Sequence, residues 1–234
     1  WYTDLTAPTV SIDAAPADPS SDANAAFTVS SDDDYGMGST TCDVDGSAMD
    51  CAGGTVSEGS HTFTATATDA AGNTATASYT WVVDTTKPSV SVTGPATPSA
   101  SADADMTVTA TDAAPSSGIT TACTLDGDSV NCDDDLTGLA DGSHTFSATT
   151  TDGAGNSASD SHTWLVDTTA PSVSVTGPSD PTSSTDASFT TTSSDDGSGL
   201  ASTTCDLDGS AIACDGSASD LAGLLQLYSF LELY

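Results

Sequence analysis

A chain of 234 residues with 34 acidic side chains and one base, Lys87, carries a net charge of −33. Phosphate backbones and anionic lipid surfaces repel such a molecule, which excludes nucleic-acid binding and direct membrane insertion, and no segment has the length of a transmembrane helix. Apolar residues make up 36%, too few for one large core, and Ser, Thr, Ala, Gly and Asp dominate; small β-rich domains or disorder are what remain.

Taken from the start, WYTDLTAP reads as the end of one unit and the beginning of another. Trp1 aligns with Trp81 and Trp164, each three residues before a junction acid. Residues 1–3 are therefore expected to be the tail of a preceding closing strand, and both ends look cut from something larger. DLTAP at Asp4 recurs as DTTKP at Asp84 and DTTAP at Asp167, 80 and 83 residues apart. These junctions divide the chain into repeats at residues 4–83, 84–166 and 167–234.

Each repeat opens on a short alternating run: TVSID, then SVSVT twice. A Pro/Ser/Ala/Asp loop follows, then a second run: AFTVSS, MTVTAT or SFTTTS. Next come two cysteines nine positions apart around an Asp-Gly pair: CDVDGSAMDC, CTLDGDSVNC and CDLDGSAIAC. Repeats 1 and 2 continue with SHTFTATATDAAGN and SHTFSATTTDGAGN and close on ASYTWVVD and DSHTWLVD. A full repeat thus holds about seven short runs of period two between Gly, Asp, Asn and Pro. That pattern predicts tandem all-β sandwiches of roughly 80–100 residues.

The cysteine segment predicts an antiparallel hairpin with Gly46-Ser47 at the centre of a type II′ turn. In that register Cys42 faces Cys51, and Val44 faces Met49. Leu125–Val130 and Leu207–Ile212 pair likewise, on the face that carries the sulfurs. A non-hydrogen-bonded pair places α-carbons about 4.5 Å apart, within disulfide range. The expected bridges are Cys42–Cys51, Cys123–Cys132 and Cys205–Cys214. Zinc ligation is disfavoured because no second ligand pair accompanies the cysteines, and a redox C-x-x-C is absent. Three bridges place the protein in an oxidising compartment, outside the cell or on its surface.

The combination C-x-LDG-x-x-x-x-C, GLADGSHTF, ATDAAGN and TW-x-VDTTAP resembles the bacterial Ig-like repeats of large secreted and surface-anchored proteins. The resemblance runs from residue 4 to about residue 224. It implies an Ig-like sandwich with Greek-key strand order, and a spacer, adhesive or wall-like role rather than catalysis. It also makes Ca²⁺ the leading cofactor, because related surface arrays stiffen their junctions with that ion. The candidate ligands are the junction acids Asp4, Asp84 and Asp167, with Asp69 and Asp152 at the start of the DAAGN and DGAGN turns. Acids at 32–34 and 195–196 are expected near the same end. Ca²⁺ needs six to eight oxygens, and the sequence alone does not assemble a full set. Ordinary Asx-turn chemistry is the competing account of the same acids.

Repeat 3 departs after SDLAG, reading LLQLYSFLELY to the end. As a strand it places Leu225, Leu227, Leu231 and Leu233 on one face, and Tyr228 and Phe230 on the other; as a helix it would align Leu221, Leu224, Leu225, Tyr228 and Leu231 in a stripe, and the strand is favoured because YSF resembles HTF with a one-residue slip. An incomplete third sandwich would expose a sheet edge for a strand from another copy, with Trp1 marking the complementary end. The expected partners are therefore other copies of the chain, or neighbouring repeats of a longer one. Neither a nucleophile elbow nor a phosphate loop is present, and an enzyme is not expected. The leading functional expectation is an extracellular structural array: a cell-surface stalk, adhesin or filament subunit. The alternative is a carbohydrate- or ligand-binding accessory module of a secreted protein, for which exposed Trp or Tyr rows would be needed.

Overall fold

A computed structural model describes residues 3–115, 118–180, 185–214 and 217–218. Among these residues all regular structure is β, with no helix. Repeat 1 contributes β1 (Thr9–Ala14), β2 (Asn24–Ala26), β3 (Thr28–Asp32), β4 (Met37–Val44), β5 (Ser47–Met49), β6 (Gly53–Thr55), β7 (Gly59–Asp69) and β8 (Thr74–Val83). One sheet runs β5-β4-β7-β8, while β1 pairs with β3 and β2 with β6. β1 packs across β7 and β8, so the two layers enclose the core.

Strict alternation on β7 explains that core. His61, Phe63, Ala65, Ala67 and Asp69 point inward and are buried, while the threonines between them face out. Phe63 stacks on Phe27 at 3.8 Å between centroids, and Phe27 meets Trp81 edge-on at 5.3 Å. The rest of the cluster is small: Ala25, Cys42, Val44, Ala65 and Val83. Such a core depends on a few rings, each contributing about 1.5–3 kcal/mol by burial, and a hairpin disulfide adds roughly 2–3 kcal/mol.

Repeat 2 forms β9 (Ser89–Thr93), β10 (Thr107–Thr111), β11 (Ile119–Leu125), β12 (Asp128–Val130), β13 (Gly142–Asp152) and β14 (Ser157–Val166). Its four-stranded sheet has the corresponding order β12-β11-β13-β14, and β9 pairs with β10. A single bridge, Ala104 with Leu136, stands where repeat 1 has the β2–β6 pair. Cys123, Phe146, Ala148, Trp164 and Val166 are buried. In repeat 3 the described strands are β15 (Ser172–Thr176), β16 (Ala187–Ser188), β17 (Thr190–Ser194), β18 (Cys205–Leu207), β19 (Ser210–Ile212) and β20 (Ser217–Ala218). They pair as β15–β17, β16–β20 and β18–β19. By contact density the chain falls into two compact units. One comprises residues 1–93, 106–134 and 145–162; the other comprises residues 94–105, 135–144 and 163–234.

The cysteine hairpins carry the three disulfides, with α-carbons 5.1, 5.2 and 5.1 Å apart, but the register differs from the sequence reading. Cys42 lies opposite Met49, and Val44 opposite Ser47. Leu125 faces Asp128, and Leu207 faces Ser210. The turn is centred on Asp45-Gly46, not Gly46-Ser47. Both residues have positive φ, 51° and 79°, which is the type I′ signature. Asp tolerates that region, and here the turn is anchored: Asp45 N–H donates to the Thr62 carbonyl at 3.0 Å, and the Asp45 carboxylate accepts from Thr62 N–H at 2.9 Å. The slip is two residues, so every side chain keeps its face, and Cys42, Val44, Met49 and Cys51 all meet the core. Cys51 reaches Cys42 through a second turn, in which the Asp50 carboxylate accepts from Ala52 N–H at 2.8 Å and Gly53 N–H donates to the Asp50 carbonyl at 2.9 Å. Gly53 is obligatory there: its φ is 101°, and a Cβ would strike the Ala25 carbonyl.

Candidate metal centres and junction clamps

Two groups of three carboxylates form where a junction meets the turn after the long central strand. In the first, Asp4, Asp33 and Asp69 place ligand oxygens within 4.8 Å of one another; in the second, Asp84, Asp112 and Asp152 do the same. Oxygens that share a Ca²⁺ at about 2.4 Å lie within about 5 Å of each other, so the spacing suits that ion.

Elements of fixed geometry position each member. Asp69 and Asp152 end β7 and β13, and both belong to Asx-type turns closed by an asparagine. The Asp69 carboxylate accepts from the N–H groups of Ala71, Gly72 and Asn73, at 2.8, 2.6 and 2.9 Å. Burial works to raise the Asp69 pKa, but these bonds and the Asn73 side-chain amide hold it below the usual carboxylate value. The same amide donates to the carbonyls of Asp4 and Thr6, at 3.3 and 3.1 Å, and so pins the incoming chain. In repeat 2, Asn156 Nδ2 donates to the Asp84 carbonyl at 2.7 Å and to Asp152 Oδ2 at 2.8 Å. Asp33 and Asp112 each directly follow the second strand of the β1–β3 or β9–β10 pair.

The second group is the more demanding. Asp84 is 0% exposed and Asp152 6%. Both carboxylate oxygens of Asp112 are buried without a hydrogen-bond partner. Three like charges at this spacing, two of them on buried residues, oppose one another, and the Asp112 oxygens lack the donors that would satisfy them. A hard divalent cation would supply what is missing.

The third junction is arranged otherwise. Asp167 is 7% exposed and, among the described residues, joins no such group of three. It accepts from Ser198 N–H at 2.6 Å and from Thr169 N–H at 3.2 Å. The Ser198 side chain and backbone are the main causes of its lowered pKa. Gly197 permits this approach, since a Cβ there would collide with the Asp167 carboxylate.

The residues after Asp84 and Asp167 are clamped by a second acid, which composition and spacing did not reveal. Glu58 Oε1 accepts from Thr85 N–H at 3.1 Å, from the Thr85 hydroxyl, and from the Thr86 hydroxyl at 2.8 Å. Asp141 repeats the arrangement with Thr168 N–H, the Thr168 hydroxyl and the Thr169 hydroxyl, at 2.9, 2.7 and 2.8 Å. The Thr85 and Thr86 hydroxyls lower the Glu58 pKa, and Thr168 N–H with the two hydroxyls lowers that of Asp141. The signal was present in the sequence as an acid before Gly-Ser-His and a Thr-Thr pair at the second and third junctions, but nothing in it said that the two meet.

Of the acids expected from sequence, the structure thus brings Asp4 to Asp69 and Asp84 to Asp152, and leaves Asp167 with backbone donors. Asp33 lay inside an acidic run already noted. Asp112 was missed, although it follows its strand as Asp33 and Asp195 follow theirs. Trp1, Leu225, Leu227, Tyr228, Phe230, Leu231 and Leu233, expected to serve assembly, lie outside the described residues.

Comparison with known proteins bears on the fold. No curated protein matches the chain. Among solved structures, fibronectin(III)-like modules of Clostridium thermocellum CbhA align at 16% identity, over 68% of this chain and 94% of theirs, with a TM-score of 0.41. A tetra-tandem repeat from the extending region of a large adhesion protein aligns at 20% identity, over 94% of this chain and 67% of its own, with a TM-score of 0.28. Extracellular cadherin domains 3–6 of Protocadherin Gamma B2 align at 16% identity, over 71% and 53%, with a TM-score of 0.26. Two family models match: one described as a bacterial Ig-like domain over residues 2–85, and one as a bacterial Ig-like domain of group 3 over residues 52–133. With its all-β repeats and stapled hairpins, the chain carries bacterial Ig-like repeat domains.

Proposed function

We propose that the chain is a non-enzymatic structural segment of an extracellular or cell-surface protein, acting as a stalk, adhesin or filament module whose junctions are stiffened by Ca²⁺. The observation that carries this reading is the buried carboxylate group of Asp84, Asp112 and Asp152, with the unpartnered Asp112 oxygens at its centre. It joins a junction acid to two acids of the repeat that follows. Ca²⁺ held there ties the entering chain to the sandwich, and the Asp4, Asp33 and Asp69 group does the same one repeat earlier. The hairpin disulfides make each sandwich resist extension, and the surplus of Asp keeps a long array soluble. Trp81 and Trp164 are buried, which removes these two as a sugar-stacking platform.

Stretching single chains in a force microscope tests the proposal. The expected trace shows one unfolding peak per sandwich, at higher force in Ca²⁺ than in chelator. Reductant lengthens each extension by about 3 nm as a hidden hairpin loop is released. A chain that extends at low force without peaks, in Ca²⁺ and without reductant, overturns the reading.

A further inference from the structure

His61 does work that neither the disulfides nor the metal groups require. It is 8% exposed, packed 5.6 Å from the Trp81 ring, and both ring nitrogens are engaged. Nδ1 lies 2.7 Å from Asp45 Oδ2, in the hairpin turn, and Nε2 lies 2.9 Å from the Ser57 carbonyl oxygen, in the loop before β7. A carboxylate and a carbonyl only accept, so both bonds form only when the ring carries two protons. The residue after Ser57 is Glu58, whose carboxylate clamps Thr85 and Thr86. His61 thus ties the hairpin to the loop that holds the next junction. The arrangement recurs: His144 Nε2 lies 2.8 Å from the Ala140 carbonyl oxygen, and the following residue, Asp141, clamps Thr168 and Thr169.

We propose that the acid-Gly-Ser-His stretch at residues 58–61, and its copy at 141–144, is a proton-set latch on the Thr-Thr pair of the following junction. Doubly protonated, His61 holds the clamp loop through Ser57. When one proton leaves, the Asp45 carboxylate retains the other on Nδ1. The Nε2 lone pair then faces the Ser57 carbonyl lone pairs, and the loop is released. Three groups surround the ring. The hairpin presents the Asp45 carboxylate, the only ion-pair partner of His61 among the described residues. The loop presents Glu58, already engaged with the threonines, and β8 presents the uncharged Trp81 ring. Burial opposes the charge of His61, but the bonds to Asp45 and Ser57 prevail and raise its pKa above 6.5, while the His61 bond lowers that of Asp45. The latch therefore holds below pH 6.5 and opens as pH rises through the raised His61 value. It involves no cation and stands apart from the calcium reading.

The test is ¹⁵N NMR on the full chain in chelator, from about pH 5 to about pH 9, where an imidazole titrates. The expected result is a doubly protonated His61 at the acid end, with a midpoint above 6.5. The Thr85 and Thr86 amide signals move with that same midpoint. Exchange protection at Thr85, corrected for base catalysis, falls about tenfold, the loss of one charge-assisted bond. Asp45→Asn lowers the His61 and Thr85 midpoints together, and Glu58→Gln leaves His61 titrating while Thr85 stops following. A neutral His61 at the acid end overturns the latch. So do Thr85 signals that ignore the His61 titration, or that keep the wild-type midpoint in Asp45→Asn.

Discussion

The junctions at Asp84 and Asp167 share the residues Asp-Thr-Thr-x-Pro, the same acid clamp and one backbone donor, since Thr86 N–H donates to Asp84 at 3.2 Å as Thr169 N–H does to Asp167, yet they differ in the acids gathered round the leading carboxylate. Asp84 is buried beside two further carboxylates, one of which has both oxygens unpartnered. Asp167 is nearly as buried, accepts from Ser198 N–H as well as Thr169 N–H, and among the described residues joins no group of three; the acid in the position of Asp112 is Asp195, which has one buried oxygen without a partner. The difference shows what a junction sequence can and cannot decide. It brings a carboxylate to the end of the sandwich. How many acids gather round that charge depends on the loop arriving from the other side, which runs DAAP in repeat 2 and DDGSG in repeat 3.

The sharpest way to break this comparison is Asp112→Asn, because its effect must change sign with the medium. In chelator the variant removes one of three mutually repelling charges, so the chain should gain stability. In Ca²⁺ the variant loses a ligand, and the wild type should gain about 3 kcal/mol that the variant forgoes when the ion is present at a hundredfold excess over its Kd, so that the order reverses. Urea denaturation followed by Trp164 fluorescence, in the two media, reads both signs. Asp195→Asn should show no such reversal. If Asp112→Asn behaves alike in both media, Asp84 and Asp167 are held by the same chemistry after all.

Gly197→Ala attacks the other side of the comparison. The added Cβ meets the Asp167 carboxylate, so either Asp167 or the loop must move, at a cost of about 1–3 kcal/mol. The change should also remove a pH dependence. With its pKa lowered by Ser198, Asp167 contributes stability that is present above the ordinary carboxylate range and lost as pH falls through its lowered value. An acid titration of stability should therefore be flatter in Gly197→Ala than in the wild type. Equal acid slopes would mean that the Ser198 bond matters little.

The sequence made the repeats, the all-β class and the cysteine partners legible because each rests on a short-range pattern: period two, a fixed nine-residue spacing, a recurring junction. It misplaced the hairpin turn by one position because Gly-Ser and Asp-Gly both satisfy turn chemistry locally. The choice is made by contacts of Asp45 to Thr62 and His61, 17 and 16 residues away. Two of the three acids in each carboxylate group could be read in the same way, as a junction acid and a turn acid. Asp112 was invisible because an acid at a strand end looks like any solvated turn residue until the strand pairing puts it beside two others. The clamps failed to show for the same reason, since 27 residues separate Glu58 from Thr85.

The smallest expected effects belong to the clamps, and they test what the two junctions have in common. Glu58→Gln and Asp141→Asn keep the shape of the acceptor and remove its charge, so each weakens the hold on its threonine pair without emptying the site. Both acids have lowered pKa values, so their carboxylates remain charged acceptors above the ordinary carboxylate range and lose that charge only as pH falls through the lowered values, below 4.5 for Glu58 and below 3.8 for Asp141. Amide exchange at Thr85 and Thr168 at neutral pH should rise by similar factors in the two variants, each at its own junction only. Calcium should not alter that parity, because neither acid belongs to a carboxylate group of three. If Glu58→Gln also weakened Ca²⁺ binding while Asp141→Asn did not, the Thr85 clamp would be part of the Asp84 site, and the two junctions would differ in their clamps as well as in their leading acids.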